Sequence, residues 1–512
     1  MLTKTYSAAL TGIDAVLLEV EVNASGKGEQ SFVSIVGLPD AAVRESRERV
    51  RSALSACGCP HPQGNTLVNL APADLKKEGA AFDLPIALGL AAAGNYAPKE
   101  PLSKAMVLGE LALDGSVRSV RGVVSAALMA MEEERIELLI VPAGNLSEAT
   151  IAAGKKKVYA VASLPEAIAA LSGDLLPIDP DRARDLFAEP DWSQEADFAD
   201  VKGQLAAKRA LEIAAAGGHH VLFSGPPGSG KSMLAKRVPG ILPPMTEAET
   251  LETSRIYSLL GLLPADKPLV RMRPFRSPHH TVSDAGLIGG GSNPGPGEIS
   301  LAHNGVLFLD ELPEFRRTTL EVLRQPIESG MVTISRAAGS FDFPCNFMLL
   351  AAMNPCPCGH LGDKSHACRC RPMQVQSYRA KISGPLLDRI DLHVEVAALS
   401  EEELLHQGKA ESSSEIRKRV IAASLIQKER FAGTSVRNNG MMDVPHIMKY
   451  CRLEPITETL LRHAIREFGL SARAYDRILR VARTIADLAG SENIKQEHIF
   501  EAIGYRSLDR RT

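Results

Sequence analysis

One short glycine-rich string constrains the fold of this 512-residue chain more than any other feature. The string GPPGSGKS fits the phosphate-loop pattern G-x-x-x-x-G-K-[ST], and it lies between an apolar strand-like run, VLFS, and a helical stretch. Glycines let such a loop curl so that its N–H groups and the following helix N-terminus face phosphate oxygens. The sequence therefore predicts an α/β nucleotide-binding core. The loop consists of Gly225, Pro226, Pro227, Gly228, Ser229, Gly230, Lys231 and Ser232.

Charged and hydroxyl side chains around this loop have predicted roles in binding ATP and Mg²⁺. Lys231 is expected to neutralise the β- and γ-phosphates, and the Ser232 hydroxyl is expected to ligate magnesium. Asp310 and Glu311 end a second apolar run, GVLFL. Parallel strands present their carboxyl ends at one edge of a sheet, so both carboxylates should lie beside the phosphates. Asp310 would then hold the magnesium ion, and Glu311 would orient and deprotonate the attacking water.

A third apolar run, FMLLAAM, ends at Asn354, whose amide could position the same water or sense the γ-phosphate. Between the carboxylates and this run lies MVTISRAAGSFDF, in which alternating residues are interrupted at 337–340. This pattern predicts an inserted β-hairpin with Arg336 at its tip. From the residues alone, Arg336 is a solvent-exposed turn residue.

Four of the eight cysteines form two C-x-C pairs that are separated by only nine residues. Four thiolates at this spacing can surround one Zn²⁺ tetrahedrally, although the usual knuckle has two intervening residues in each pair. His360 and His366 are substitute ligands within the same loop, and a redox-labile disulfide pair is the alternative to zinc. The predicted zinc ligands are Cys356, Cys358, Cys368 and Cys370.

Composition narrows the choice of partners. The chain has 58 Lys and Arg against 61 Asp and Glu, a net charge of −3, so it cannot coat nucleic acid by bulk charge. An anionic partner must meet a local patch. The longest apolar stretch, residues 84–93, is far below the roughly 18 residues that a membrane span needs, so no membrane partner is expected. The N-terminus lacks a secretory signal pattern, which favours a cytoplasmic location.

The motifs occur in the order found in AAA+ ATPases: GPPGSGKS, LFLDE, AAMN and GPLLDRID. RPFRSPHHT and GEISLAHNGVLFLDELPEF are similar to the magnesium-chelatase-like branch, and the N-terminal domain with NPCPCG resembles the ComM/YifB family over essentially the full chain. The resemblance implies a P-loop AAA+ core with a helical lid, assembled as a homohexamer. It also implies a branch-migration helicase that promotes integration of single-stranded DNA in recombination or natural transformation. Single-stranded or branched DNA and recombination proteins would be its partners. The alternative is a magnesium-chelatase-type remodelling subunit.

The same resemblance assigns roles to arginines. Arg389 in LLDRID matches the arginine finger that reaches the γ-phosphate bound by a neighbouring subunit, and a salt bridge with Asp388 or Asp391 is the alternative. Arg473 in LSARAYDRIL matches a second phosphate-sensing arginine in the lid, although Arg477 on the same helix competes for that role.

Family hairpins of this kind point into the pore of the ring, where a basic residue tracks the nucleic-acid backbone. Arg336 matches that residue, and one arginine per subunit would make a positive funnel without a basic chain. The stretch MRPFRSPHHT is expected to serve either DNA contact or subunit packing.

The N-terminal strings KKEGAAFDLPIALGLAAA and GELALDGSVRSVRGVVSAAL are similar to the proteolytic domain of Lon-type proteases, which use a Ser–Lys dyad. Alignment places Ala81 at the nucleophile and Val124 at the base, so peptidase activity is not expected. An interaction or ring-assembly module is expected instead.

Composition shifts and helical periodicity suggest the domain organisation. Helices are predicted over 41–56, 201–216 and 413–430, among others, and residues 400–512 are mostly helical. The predicted domains are a catalytically dead Lon-like domain (1–172), an acidic linker (173–198), an AAA+ α/β core with a pore hairpin and a four-cysteine loop (199–398), and a helical lid (399–512).

Overall fold

A computed structural model describes the chain except for residues 26–31, 78, 184–185, 265, 268, 292–293, 337–338, 364–365, 399–409 and 507–512. Packing divides it into two compact units. The first comprises Met1–Glu189 and Thr246–Arg271, and the second comprises Pro190–Met245 and Met272–Thr512. The segment Thr246–Arg271 therefore packs with the N-terminal residues although it follows the phosphate loop in sequence. The domain boundaries expected from the sequence stay a prediction.

The strands are β1 Leu2–Thr11, β2 Asp14–Ala24, β3 Phe32–Val36, β4 Asn65–Ala71, β5 Ala105–Val107, β6 Glu110–Leu111, β7 Val117–Arg118, β8 Leu138–Pro142, β9 Lys157–Val161, β10 Val221–Ser224, β11 Phe275–Arg276, β12 Gly289–Gly290, β13 Gly295–Pro296, β14 Val306–Leu309, β15 Met331–Arg336, β16 Gly339–Pro344, β17 Met348–Met353 and β18 Leu392–Glu395. The helices are α1 Ala41–Ala56, α2 Asp83–Ala93, α3 Lys99–Leu102, α4 Val123–Glu132, α5 Leu146–Ala149, α6 Leu164–Ser172, α7 Leu205–Gly217, α8 Lys231–Lys236, α9 Glu247–Leu260, α10 Asp284–Ile288, α11 Glu298–Leu301, α12 Arg317–Glu321, α13 Arg324–Ser329, α14 Pro372–Arg379, α15 Gly384–Leu387, α16 Ser413–Arg430, α17 Val444–Tyr450, α18 Pro455–Phe468, α19 Ala472–Leu488 and α20 Gln496–Gly504. Among these helices, none has the length and apolarity needed to cross a bilayer.

The first unit is built on a seven-stranded mixed sheet in the order β3-β4-β2-β1-β5-β8-β9. Strands β1 and β2 form an antiparallel pair, whereas β5, β8 and β9 pair in parallel. Every residue of α2 is buried, because its sequence is apolar on all sides after Asp83. Helix α9 belongs to this unit and packs against α4, where the backbone N–H of Val124 donates to the Ser258 hydroxyl at 3.3 Å.

The second unit contains a five-stranded parallel sheet in the order β11-β14-β17-β10-β18. Its three middle strands are buried along their whole length and apolar except for Ser224, as expected for a parallel sheet covered on both faces. The α/β class predicted from the sequence is confirmed. Strand β17 lies between β10 and β14, so its carboxyl end lies between the end of β10, which leads into the phosphate loop, and the end of β14, which leads to Asp310 and Glu311.

Helices dominate the C-terminal part of the second unit, as predicted. Helix α16 spans Ser413–Arg430 and begins where the Ser412 hydroxyl accepts a hydrogen bond from the Glu415 N–H. Buried residues of α16 and α19 join α7 and the parallel sheet in one hydrophobic core. The predicted lid helices thus share one hydrophobic core with the parallel sheet.

The predicted hairpin is present as β15 and β16, paired antiparallel from Met331↔Pro344 to Arg336↔Gly339. Val332 and Phe343 are buried on one face. The sequence predicts a turn at 337–340. Gly339 and Ser340 instead belong to β16, where they pair with Arg336 and Ser335. Arg336 ends β15, and its side chain lies outside the part of the chain that the structure describes.

Candidate nucleotide-binding site

The phosphate loop connects β10 to α8 with the backbone geometry that its glycines allow. Gly228 and Gly230 adopt φ of 76° and 91°, in the left-handed region that favours glycine. At Gly225, a Cβ atom would lie 2.1 Å from the carbonyl oxygen of Val396, so only glycine fits there. The close approach of the chain after β18 therefore fixes the first residue of the loop.

Lys231, the first residue of α8, is buried within the curl of this loop. Its Nζ donates to the carbonyl oxygens of Gly225 at 2.7 Å and Pro226 at 2.8 Å, and to Asn354 Oδ1 at 3.3 Å. Burial lowers the pKa of Lys231, and the nearby Asp310 opposes that shift. The Ser229 hydroxyl is also buried, and it has no hydrogen-bond partner among the described residues. A buried cation held by neutral oxygens beside an unused hydroxyl fits the phosphates of a nucleotide.

The two predicted magnesium ligands are in direct contact. The Ser232 hydroxyl donates to Asp310 Oδ2 at 2.6 Å, and the other oxygen of Asp310 accepts from the Glu311 N–H at 2.9 Å. A hydroxyl and a carboxylate are hard oxygen ligands, which Mg²⁺ prefers beside phosphates. The donor set therefore fits magnesium, with Asp310 oriented by the backbone of its neighbour.

Glu311 lies directly after β14 in an unusual backbone conformation. Its φ is +52°, in the left-handed region, which costs a non-glycine residue about 1–2 kcal/mol and is common at functional sites. Its side chain is 56% exposed, and Oε2 lies 3.4 Å from His280 Nδ1. His280 belongs to the stretch MRPFRSPHHT, whose role the sequence left open between DNA contact and subunit packing. The structure places this histidine at the predicted catalytic carboxylate.

Gln204 supports the loop and was missed in the sequence analysis. Its Nε2 donates to the carbonyl oxygens of Ser229 at 3.2 Å and Ala397 at 2.7 Å. The residue has φ of +54° and precedes α7, so the helix begins at Leu205 and not at Val201 as predicted. The helical periodicity of the sequence contains no signal for this role, because both contacts are distant along the chain.

Arg389 is buried and already has partners within its own chain. Its Nη1 donates to the Pro385 carbonyl oxygen at 2.6 Å, and its Nη2 forms an ion pair with Glu328. The ion pair with Glu328 takes the place of the Asp388 or Asp391 bridge considered from the sequence. Only 8% of the Arg389 side chain is exposed, whereas 60% of Glu328 is.

The two candidate lid arginines of α19 differ in their surroundings. Arg473 is 66% exposed, with Nη1 3.7 Å from Asp388 Oδ2. Arg477 forms an ion pair with the buried Asp391. Burial alone would raise the pKa of Asp391, but Arg477 and His219 hold that pKa well below its usual range. Arg477 is therefore committed to a structural ion pair, and Arg473 is the one whose guanidinium is open to a ligand.

The four predicted zinc ligands converge on one point. The sulfur atoms of Cys356, Cys358 and Cys368 lie 3.4–3.7 Å apart, and Cys370 joins the cluster with all ligand atoms within 4.8 Å of one another. A Zn–S bond of about 2.3 Å gives a tetrahedral edge of about 3.8 Å. Hydrogen bonds from the His360 and Arg369 backbone N–H groups lower the pKa of Cys358 to about 6. All four thiols are free, so the geometry fits zinc better than a disulfide pair.

This cysteine loop touches the phosphate loop. Gly359 has φ of +85°, and a Cβ atom there would lie 2.7 Å from Pro227 Cδ and 4.0 Å from Asn354 Cγ. The loop starts directly after Asn354, and the guanidinium of Arg379, the last residue of α14, donates to the Pro355 carbonyl oxygen at 3.4 Å. The fold of the cysteine loop therefore fixes the position of one wall of the nucleotide site.

In the first unit, the aligned dyad positions hold no reactive group. Ala81 accepts a hydrogen bond from the Gly109 N–H through its carbonyl oxygen, and Val124 is fully buried in α4. The polar centre nearby is Asp83, which accepts from the Ser46 hydroxyl and forms a 2.7 Å ion pair with Arg49. This network has the character of a structural anchor between α1 and α2.

A parallel sheet that presents a phosphate loop, a Ser–Asp pair and a strand-end asparagine at one edge defines the class of phosphate-loop nucleotide-binding proteins. Three family models agree. The model described as magnesium chelatase, subunit ChlI, matches residues 197–404. The model of subunit ChlI of Mg-chelatase matches residues 20–145, and the model of the ChlI C-terminal part matches residues 410–506. These models assign the chain to the magnesium-chelatase-like AAA+ ATPases.

Relatives narrow the assignment. The chain is 44% identical over 507 residues to "Competence protein ComM" of Haemophilus influenzae, covering 99% of this chain and 97% of the relative. It is 42% identical over 511 residues to the uncharacterized protein YifB of Escherichia coli, covering 99% and 98%. Magnesium-chelatase subunit ChlI of Chlorella vulgaris is 22% identical over 210 residues, covering 41% of this chain and 52% of the relative. The chain belongs to the ComM/YifB family, and membership implies ATP and Mg²⁺ as ligands.

Proposed function

We propose that this protein is an ATP-driven, ring-forming DNA motor, a branch-migration helicase that promotes integration of single-stranded DNA. The proposal is carried by the insertion of the β15–β16 hairpin between β14, which delivers Asp310 and Glu311, and β17, which delivers Asn354. The hairpin ends at Pro344, shortly before β17 begins at Met348, whereas α12 and α13 lie between β14 and the start of the hairpin. A change at the phosphates can therefore move the hairpin.

The proposed roles at the nucleotide site follow from its contacts. Lys231 and the backbone N–H groups of the loop bind the phosphates. Ser232 and Asp310 would hold the magnesium ion, which would supply positive charge beside the phosphates. Glu311 accepts the proton of the attacking water. Asn354, at the end of β17, positions that water. Gln204 orients the loop through the Ser229 carbonyl oxygen.

Ring assembly gives the proposed roles of two arginines. We infer that Arg389 acts on the nucleotide of a neighbouring subunit in a homohexamer, and that subunit contact frees it from the exposed Glu328. Arg473 acts from the lid on the nucleotide of its own chain, because its guanidinium is exposed while that of Arg477 is engaged.

Two observations support DNA as the substrate. One relative that matches nearly the whole chain is called a competence protein. Strand β15 ends at Arg336, next to the turn of the hairpin, and six copies of one arginine in a ring would form a positive path for a phosphate backbone. Recombination proteins are the proposed further partners, and the cytoplasm is the proposed location.

The remaining parts are proposed to serve the ring. Zinc held by the four clustered cysteines would staple the loop that contacts Pro227. The N-terminal unit is proposed to be a Lon-like domain without peptidase activity that supports assembly. The sequence-based division into Lon-like domain, linker, core and lid is part of this proposal.

The test is ATP-dependent branch migration of a synthetic Holliday junction by the purified protein. Wild-type protein is expected to move the branch with ATP, and Arg336→Ala is expected to lose this activity. Arg462→Ala, which removes an exposed arginine paired with Glu458 on α18, is the matched control and should retain it. No movement by the wild type with ATP, or full activity of Arg336→Ala, would contradict the proposal.

A second candidate is a magnesium-chelatase-type remodelling subunit. It is favoured by the three family models, all of which are described by the chelatase subunit ChlI. Magnesium insertion into a porphyrin by this protein together with the other chelatase subunits would support it. Absence of insertion combined with ATP-dependent branch migration would decide for the DNA motor.

A further inference from the structure

A second cluster of metal-binding side chains lies in the cysteine loop, separate from the four thiols. His360 Nδ1 lies 2.9 Å from Asp363 Oδ2, and His366 Nδ1 lies 3.5 Å from the same oxygen. The two imidazole rings are 4.9 Å apart between centroids. One ligand atom from each of the three residues can be chosen so that all lie within 4.8 Å of one another.

The spacing of these atoms fits one divalent ion. Bonds of about 2.0–2.1 Å from zinc to imidazole nitrogen and carboxylate oxygen give a tetrahedral edge of about 3.3 Å. The two observed separations, 2.9 Å and 3.5 Å, lie on either side of that edge. The side chain of Asp363 is 5% exposed, whereas those of His360 and His366 are 32% and 69% exposed. The cluster is thus anchored on its buried carboxylate and open to solvent on the His366 side, where water can complete the coordination.

The two clusters differ in their position along the loop and in the chemistry of their ligands. His360, Asp363 and His366 all lie between the two cysteine pairs, in the spacing H-x-x-D-x-x-H. The His360 N–H donates to Cys358 Sγ, so the histidine is connected to the thiol cluster through its backbone while its ring faces Asp363. Soft thiolates select zinc in the first cluster, and imidazole with carboxylate suits zinc or another first-row divalent ion in the second.

We propose that the loop between Asn354 and α14 binds two metal ions: one at the four cysteines and a second at His360, Asp363 and His366. The second ion is Zn²⁺ or a similar first-row divalent cation, with one coordination position left to water. It crosslinks the middle of the loop, as the thiol site crosslinks its ends. The proposal does not depend on DNA or on ATP hydrolysis.

The experiment is Co²⁺ titration of the metal-free full-length protein, followed by absorbance, with metal content measured in parallel by mass spectrometry after Zn²⁺ loading. Cobalt at the thiol site produces intense thiolate charge-transfer absorption, whereas cobalt at an imidazole–carboxylate site produces only weak visible bands. The wild type is expected to bind two ions per chain in these two spectral classes. Asp363→Asn should bind one ion with the thiolate bands intact, with second-site affinity reduced by more than about tenfold.

Three further variants make the outcome decisive. His366→Ala removes the most exposed ligand, so it tests the site even if Asp363→Asn folds poorly, and it should also reduce the count to one. Cys368→Ser should weaken the thiolate bands, because one of four Co–S bonds is lost, and leave the weak bands unchanged, which separates failure of the thiol site from failure of the second site. Asp443→Asn is the matched control, because Asp443 contacts His446 in another Asp–His pair at the start of α17. It should leave two ions. One ion per chain in the wild type, or an unchanged count in both Asp363→Asn and His366→Ala, would overturn the proposal.

Discussion

Replacing Gly359 with alanine tests whether the cysteine loop positions the phosphate loop. The new methyl group would start 2.7 Å from Pro227 Cδ, and ordinary contact requires about 3.5 Å or more, so one of the two loops must shift by close to an ångström. The phosphate loop binds through backbone hydrogen bonds to charged oxygens, each of which contributes about 1.5–3 kcal/mol. Partial loss of one such bond, about 1.4 kcal/mol, weakens ATP binding about tenfold.

Gly362→Ala provides the control in the same loop. Gly362 also has a positive φ, +81°, so both substitutions carry the cost of about 1–2 kcal/mol for a side chain in the left-handed region. Among the residues that the structure describes, none would lie within 4 Å of the new Cβ atom at position 362. The ATP affinity of Gly362→Ala is therefore expected to lie within about twofold of the wild-type value. A twofold change corresponds to about 0.4 kcal/mol of binding free energy.

The assay is isothermal titration of each purified variant with a non-hydrolysable ATP analogue and Mg²⁺. Thermal unfolding of the nucleotide-free proteins, measured in parallel, reports the backbone cost common to both variants. A tenfold loss of affinity in Gly359→Ala alone supports the structural coupling. Equal affinities in the two variants would refute the reasoning, because the contact with Pro227 is what distinguishes them.

Three further results are expected. Glu311→Gln should retain ATP binding and slow hydrolysis by roughly 10²–10⁴-fold, because only the proton acceptor is lost; Glu314→Gln, a surface carboxylate nearby, should hydrolyse ATP normally, and a normal rate in Glu311→Gln would contradict the assignment. Asp83→Asn should lower the free energy of unfolding by about 3 kcal/mol, because it breaks a buried ion pair and leaves a partly buried guanidinium, and a change below about 0.5 kcal/mol in urea unfolding would argue against that anchor. Mixing the Arg389→Ala and Lys231→Ala proteins should restore part of the ATPase rate, since mixed rings contain junctions in which both residues are intact. No rescue in assembled mixed rings would mean that Arg389 acts within its own subunit.

Local sequence patterns predict the secondary structure and most residues of the candidate nucleotide site. Helices α1 and α16 have the predicted bounds, because each combines helical periodicity with a capping side chain, Asp40 or Ser412. Asp310 and its hydroxyl partner were found because an apolar strand ends at one and a glycine loop at the other. These signals need only a few neighbouring residues.

Contacts between residues that are far apart along the chain could not be predicted from the sequence. Glu328 is far from Arg389 along the chain, and Gly359 is farther still from Pro227, so no local pattern links either pair. The packing of Thr246–Arg271 with the N-terminal residues is equally invisible, since periodicity marks α9 as a helix without naming its neighbours. Such contacts depend on tertiary packing, and a single sequence does not indicate which distant residues are brought together.

The central claim, that nucleotide hydrolysis drives motion on DNA, is tested most directly by the steady-state ATPase rate with and without branched and single-stranded DNA. Wild-type protein with Mg²⁺ is expected to hydrolyse ATP faster when DNA is added, and Glu311→Gln is expected to bind DNA without that increase. A wild-type rate that is measurable but unchanged by either DNA would contradict the account.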